Sequence, residues 1–141
     1  WVRRSSEAQP IVLPPLLGLA SVLAPVLATG NTAVVLASQA RPLPAVSLTE
    51  VLATSDVPAG VVNLLTGFTA ELAPWLAGHR DVNAIDLTGV DAAERGPLAE
   101  AAAENVKRVY VPRSLDWSAD PGTSRLGAFV ETKTVWHPIG V

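Results

Sequence analysis

Cysteine and histidine, two residue types that often act as nucleophile, general base or zinc ligand, are absent or scarce in this 141-residue chain. There is no cysteine, which excludes disulfides, thiolate metal ligands and a thiolate nucleophile within the chain. The histidines are His79 and His137, and two histidines alone cannot form a closed structural zinc site. Ser38, His79 and Asp86 have the residue types of a hydrolase triad, but no serine lies in a nucleophile elbow. We reject this triad and predict no metal site. His79 is assigned a surface or capping role, and Asp86 a strand-end hydrogen bond rather than general-base chemistry.

The elements that would position these side chains alternate between strand and helix. Short apolar runs rich in β-branched residues occupy residues 32–37, 60–66, 82–88 and 107–112, and apolar residues at helical spacing lie between them. Consecutive strand-helix-strand units almost always form right-handed crossovers within a parallel sheet. The sequence therefore predicts an α/β fold, a Rossmann-like parallel sheet with helices on both faces. Glycines at the strand borders, Gly67 and Gly89 among them, suit the turns of such a fold.

Composition and charge argue against other classes of protein. The net charge of −3 and the pI of about 5.3 lack the basic field of a nucleic-acid-binding domain. The longest apolar run, Leu16 to Thr29, contains Pro25 and is too short to cross a membrane, which favours a buried helix. We expect no nucleic-acid or membrane partner and a cytoplasmic location.

The sequence begins with Trp1 and not with an initiator methionine, which favours a fragment or processed product. The excess of arginine over lysine hints at a bacterial source.

Four segments carry a resemblance to a known family. They are "PLLGLASVLAPVLATGNTAVVLAS", "VPAGVVNLLTG", "LAGHRDVNAIDLTG" and "AAAENVKRV". In this order and at this spacing they resemble the coenzyme-binding domain of aldehyde dehydrogenases over about residues 15–110. The resemblance implies NAD(P)-dependent oxidation of aldehydes through a cysteine thiohemiacetal, hydride transfer and thioester hydrolysis.

The groups that this chemistry requires are missing from the matching positions. The nucleophilic cysteine is absent, and Pro112 stands where the resemblance places the glutamate that acts as base. Near the place of the oxyanion-hole asparagine the chain offers only Leu13. The catalytic domain of the family, which would follow Pro112, is missing as well. We therefore predict no catalytic residue, and an enzyme-like chain that is inactive on its own.

The resemblance also identifies candidate residues for coenzyme binding. Leu36 and Gln39 stand in place of the family's ribose-binding lysine and glutamate, and Glu94 stands in place of a phosphate-side glycine. A carboxylate is unfavourable beside a pyrophosphate. Neutral hydrogen bonds remain available, each worth about 1 kcal/mol net. We predict no coenzyme or weak NAD(P) binding, with the candidate contacts Ser38, Gln39, Gly67, Thr88 and Gly89.

The tail "FVETKTVW" is similar to the C-terminal oligomerisation strand of the family, and its residues alternate with a period of two. The predicted organisation is a coenzyme-binding domain over 1–112, a linker over 113–126 and an oligomerisation strand over 127–141. We expect this strand to pair with a second copy or with a dehydrogenase, and the domain to fold without it. The alternative is a tail that folds back on its own domain or is left disordered. The preferred function is a catalytically inactive structural or regulatory subunit, and the alternatives are a fragment or an NAD-binding module of a dehydrogenase.

Overall fold

A computed structural model describes residues 8–12, 16–112, 116 and 122–137. Five strands and five helices follow one another along this part of the chain. They are β1 (Ala8–Val12), α1 (Leu16–Ala28), β2 (Thr32–Leu36), α2 (Leu43–Ala53), β3 (Val62–Leu65), α3 (Thr69–Gly78), β4 (Ala84–Asp86), α4 (Ala92–Ala103), β5 (Arg108–Tyr110) and α5 (Ser124–Ala128). The strands form one parallel sheet in the order β3-β2-β1-β4-β5. The predicted Rossmann-like α/β fold is confirmed.

The central strand β1 was not predicted from the sequence. Its register with β2 runs from Ala8 opposite Thr32 to Val12 opposite Leu36, and Ile11 also pairs with Asp86 of β4. Pro10 lies in the middle of this strand. A proline lacks the backbone N–H and is ordinarily confined to edge strands or bulges, so it argues against a central strand when only the sequence is read.

Two apolar clusters cover the two faces of the sheet. One is centred on α1 and includes Val22, Val35, Ala84 and Phe129, and the other joins α3 and α4 to residues such as Leu36 and Ile85. Neighbouring residues of one strand belong to different clusters because successive side chains of a strand point to opposite faces. The prediction of helices on both faces is therefore confirmed.

The helix predicted over the longest apolar run is also present as α1. Four of its residues, Leu19, Val22, Leu23 and Val26, are buried against the sheet. Gly30 follows the helix with φ +81°, a left-handed conformation that glycine adopts without a steric cost. Among the described residues, no helix is both long enough and apolar enough to cross a membrane.

The C-terminal region differs from the prediction of a strand over 127–141. Ser124–Ala128 form the short helix α5, and residues 131–137 form neither helix nor strand. A strand requires a hydrogen-bonded neighbour, which an alternating pattern alone does not supply. Phe129 is 1% exposed in the core, whereas Trp136 is 89% exposed. The segment up to Phe129 therefore folds back on its own domain, and most of the predicted linker over 113–126 lies outside the described residues.

Candidate functional site

A cleft of about 490 Å³ lies where β2, β3 and β4 lead into the helices that follow them. Its lining residues come from three loop-helix junctions and are Ser38, Gln39, Ala40, Thr69, Ala70, Gly89, Asp91 and Glu94. In open parallel sheets, ligands bind outside the carboxyl ends of the strands. The fold thus places this cleft where a coenzyme-binding domain would hold its ligand.

Gln39 joins two walls of the cleft. Its side-chain oxygen Oε1 accepts a hydrogen bond of 3.4 Å from the backbone N–H of Thr69, the first residue of α3. The carbonyl of the preceding residue, Ser38, accepts a 3.2 Å bond from the backbone N–H of Arg41. These bonds tie the loop after β2 to the start of α3, and the side chains of Ser38 and Gln39 are left as neutral polar groups at the cleft.

Only some of the predicted coenzyme contacts lie in the cleft. Ser38, Gln39 and Gly89 line it, whereas Gly67 and Thr88 are not among the lining residues. Gly67 has φ +155°, and a Cβ atom there would lie 2.8 Å from Cδ1 of Leu72, so the glycine is required by the turn. Thr88 is 2% exposed and lies beneath the loop that carries Gly89.

The charged residues of the cleft wall are acidic. Asp91 is the N-cap residue of α4 and Glu94 lies in its first turn, and no basic residue appears among the lining residues. Carboxylates at a helix N-terminus stabilise the helix, but they occupy the end at which a phosphate would otherwise bind. Sequence reasoning identified Glu94 but missed Asp91. The Asp-x-x-Glu spacing, typical of a helix N-terminus, was the available signal, although the Asp91 side chain forms no capping hydrogen bond.

The position of the missing family lysine is apolar and buried. Leu36 is 0% exposed and packs with Ala73, Ala77 and Ile85. Its side chain therefore belongs to the core, and it supplies no donor to the cleft.

Asp86 forms a buried hydrogen-bonded cluster at the end of β4. One carboxylate oxygen, Oδ1, accepts a 2.8 Å bond from the backbone N–H of Thr88 and a second bond from the Thr88 hydroxyl. The other oxygen, Oδ2, accepts a bond of 2.5 Å from Nη1 of Arg125. The Arg125 guanidinium also lies 4.7 Å from the centre of the Tyr110 ring. The predicted strand-end role of Asp86 is confirmed, but its partner Arg125, 39 positions away, had no local signal in the sequence.

Burial dominates the electrostatics of this carboxyl group. Desolvation raises the pKa of Asp86 above its ordinary value, while the hydrogen bonds from Thr88 and the charge of Arg125 act in the opposite direction. Because Asp86 is 0% exposed, it cannot reach a ligand in the cleft. Its chemistry is structural.

The remaining candidate residues lie apart from the cleft lining. His79 caps the C-terminal end of α3 in an exposed loop, where its Nδ1 accepts a 3.3 Å bond from the backbone N–H of Asp81, as predicted. Pro112 follows β5, and Leu13 lies outside the described residues. In the part of the chain that the structure describes, no group of three or more His, Cys, Asp or Glu residues could hold a metal ion.

Comparison with known proteins identifies the origin of this architecture. The sequence profile described as "Aldehyde dehydrogenase family" matches residues 14–112, which is more than half of the chain. The chain belongs to the aldehyde dehydrogenase family. The resemblance seen over about residues 15–110 is therefore confirmed.

Individual relatives match this aldehyde dehydrogenase region over a similar span. The mitochondrial aldehyde dehydrogenase of Leishmania tarentolae is 41% identical over 95 residues, 67% of this chain and 19% of the relative. The NADP/NAD-dependent aldehyde dehydrogenase PuuC of Escherichia coli is 36% identical over 97 residues, 69% of this chain and 20% of the relative. The chain thus spans about a fifth of the length of these curated relatives.

Solved aldehyde dehydrogenase structures match the fold. KauB of Pseudomonas aeruginosa is 32% identical with a TM-score of 0.71, and the match covers 75% of this chain and 22% of that enzyme. Betaine aldehyde dehydrogenase of Staphylococcus aureus in complex with NAD+ is 29% identical with a TM-score of 0.68, covering 74% of this chain and 21% of that enzyme. The chain therefore shares the fold of a limited region of these enzymes.

Proposed function

We propose that this chain is a non-catalytic aldehyde dehydrogenase-type subunit with a structural or regulatory role, which assembles with a second copy or with a dehydrogenase through its C-terminal residues. The observation that carries the proposal is the loss of the reacting groups. The chain has no cysteine, and Pro112 replaces the base expected from the family. A proline side chain has no proton acceptor and cannot replace that base.

The direct test is turnover by the purified chain. We expect no NAD(P)H formation from a panel of simple aldehydes and no hydrolysis of ester or thioester substrates, because nucleophile, base and oxyanion donor are all missing. The matched positive control is a full-length aldehyde dehydrogenase under the same conditions. Heat-sensitive turnover that resists thiol reagents would contradict the proposal.

Weak coenzyme binding is the second part of the proposal. The acidic wall formed by Asp91 and Glu94, together with the neutral Gln39, supports a dissociation constant for NAD of about 1 mM or weaker. In calorimetric titrations, Gln39→Glu should strengthen binding by restoring the ribose acceptor. Glu94→Gln should strengthen it roughly two- to fivefold by removing one half-buried carboxylate at the cleft.

Two further variants make this titration decisive. Glu100→Gln is the matched control, because Glu100 is exposed on the same helix but is not among the cleft residues. Leu36→Lys, which would restore the lysine of the family, is unsuitable because it places a charge at a fully buried position.

A micromolar dissociation constant of NAD for the unmodified chain would favour the alternative function, an NAD-binding module or fragment of a dehydrogenase. The presence of Ser38, Gln39 and Gly89 in one cleft is the observation in favour of that alternative.

The partner surface is assigned to residues 130–137. Val135 is 57% exposed and Trp136 is 89% exposed. The edge strand β5 lies near the start of this segment, since Nη1 of Arg108 in β5 is 3.7 Å from Oε1 of Glu131. Unpaired edges and exposed aromatic residues favour pairing with another chain.

Light scattering should give a mass above that of a monomer, and Trp136→Ala should lower that mass. A chain that is monomeric at high micromolar concentration and binds no dehydrogenase would contradict the assignment. The bacterial, cytoplasmic origin stays a prediction.

A further inference from the structure

The C-terminal segment from Ser124 to Val130 is attached to the domain by specific polar contacts. Arg125 forms the buried ion pair with Asp86. The backbone oxygen of Phe129 accepts a 2.9 Å bond from Nδ2 of Asn31, and that of Val130 accepts a 3.2 Å bond from Nη1 of Arg108. The segment is therefore held in one position against the sheet.

One of these contacts extends to the wall of the cleft. Nη2 of Arg125 donates a 3.3 Å hydrogen bond to the hydroxyl of Thr88, and the next residue, Gly89, lines the cleft. Beyond Gly89, the backbone N–H of Val90 donates to the carbonyl of Leu87 at 3.1 Å. Nε of Arg95 in α4 then donates to the carbonyl of Val90 at 2.8 Å. The hydrogen bond from Arg125 to Thr88 and the backbone from Thr88 to Val90 thus join α5 to the loop between β4 and α4.

The chemistry of Thr88 makes this path dependent on Arg125. The hydroxyl of Thr88 donates its proton to Asp86 and accepts a bond from Arg125, so both of its neighbours determine its rotamer. Removal of Arg125 alone would leave Asp86 as an uncompensated buried carboxylate, which is strongly unfavourable. Thr88 would then lose its hydrogen bond from Arg125. Its other partner, the Asp86 carboxylate, would have to take up a proton or move.

We infer that Arg125 is a positioning residue for the cleft, holding the wall from Thr88 to Glu94 in place, so that docking of the C-terminal segment sets the shape of the cleft. The inference concerns this coupling and holds for any ligand of the cleft. One consequence rests on the proposed function, in which residues 130–137 bind a partner. If that partner displaced α5, it would also change the shape of the cleft.

Hydrogen exchange of the full chain tests the inference at amides that bond neither Asp86 nor Arg125. The reporters are the N–H groups of Val90, bonded to Leu87, and Glu94, bonded to Asp91. The reference is the N–H of Ala37, which bonds the carbonyl of Leu65 at 2.9 Å at the end of another strand. In Arg125→Met, exchange at the reporters should accelerate at least about tenfold more than at the reference, which separates local loosening from global destabilisation.

A second variant separates positioning from the cost of an unpaired charge. The double variant Asp86→Asn with Arg125→Met removes both buried charges, and asparagine keeps an acceptor oxygen for the backbone N–H and the hydroxyl of Thr88, so its global stability should recover. Its reporters should still exchange faster than those of the unmodified chain. Arg125→Lys should give partial protection, because one ammonium cannot reproduce the geometry of a guanidinium that contacts two partners. Arg80→Met, at an exposed loop position, is the control for loss of an arginine.

The outcomes are distinct from those that test the proposed function. Reporter exchange that rises only in step with the Ala37 reference, or full reporter protection in the double variant, would overturn the inference. Neither result depends on aldehyde turnover, coenzyme affinity or oligomer mass. Failure of the proposed function would therefore appear in other measurements.

Discussion

Replacement of Phe129 by alanine should lower the free energy of unfolding by about 3–5 kcal/mol, the usual cost of truncating a buried phenylalanine. The side chain is 1% exposed and belongs to the same apolar cluster as Leu19, Val22 and Ala84. Its ring centre also lies 5.9 Å from that of Tyr110, in a tilted arrangement. At roughly 0.1 kcal/mol per residue, the whole domain has a stability of about 14 kcal/mol. The substitution therefore removes about a fifth to a third of this stability.

Urea denaturation followed by circular dichroism measures this loss. Trp75→Ala is the matched control, since an aromatic side chain that is 79% exposed and lies outside residues 130–137 should change the unfolding free energy by less than about 0.5 kcal/mol. Deletion of residues 127–141 should destabilise at least as much as Phe129→Ala. The expectation from sequence that the domain folds without this segment stays a prediction, and the buried position of Phe129 adds that the truncated domain should be less stable. A loss below about 1 kcal/mol for Phe129→Ala would refute the assignment of the segment to the core.

Four further effects on stability can be measured by the same denaturation assay. Val106 has φ +57° and is 90% exposed, so Val106→Gly should stabilise the protein by about 1 kcal/mol through relief of left-handed strain, and a loss of stability would contradict this. Gly67→Ala should destabilise by about 1–3 kcal/mol because of its positive φ and its contact with Leu72, whereas Gly96→Ala, in open space within α4, should stabilise by about 1 kcal/mol. Burial raises the pKa of Asp86 above 3.8, so the unfolded chain loses this proton first as the pH rises. The unfolding free energy of the unmodified chain minus that of Asp86→Asn should therefore fall as the pH rises from below 3.8 through the pKa of the folded state. A difference that increases over this pH range would be inconsistent with a raised pKa of Asp86.

Local patterns in the sequence predicted most of the sheet. The β-branched runs at 32–37, 60–66, 82–88 and 107–112 contain β2, β3, β4 and β5, because a buried parallel strand is visible as a short apolar run. The strand β1 escaped prediction because Pro10 contradicts the local signal, although the neighbouring strands on both sides hold it in the sheet.

The candidate site was predicted less completely, for a different physical reason. Ser38, Gln39 and Gly89 were found through the resemblance to the family's coenzyme-binding motifs, and the structure places them in a cleft beyond the carboxyl ends of the strands, where parallel sheets bind ligands. The pair of Asp86 and Arg125 has no such signal, since only the folded chain brings together residues 39 positions apart. The alternating tail was interpreted as a strand, but alternation describes only the two faces of a strand. The helix α5 ends at Ala128, just before this tail, and residues 131–137 form neither helix nor strand.

The bond between Asn31 and Phe129 joins residues 98 positions apart, and this separation has a consequence for biosynthesis. A ribosome releases α1 and the strands of the sheet well before it releases Phe129. During that interval the cluster around Leu19 and Val26 lacks its largest member, so the nascent domain exposes an incomplete apolar surface. The final core contact forms only when the emerging C-terminal segment returns to the first helix, and a nascent chain stalled upstream of this segment would be a natural chaperone substrate.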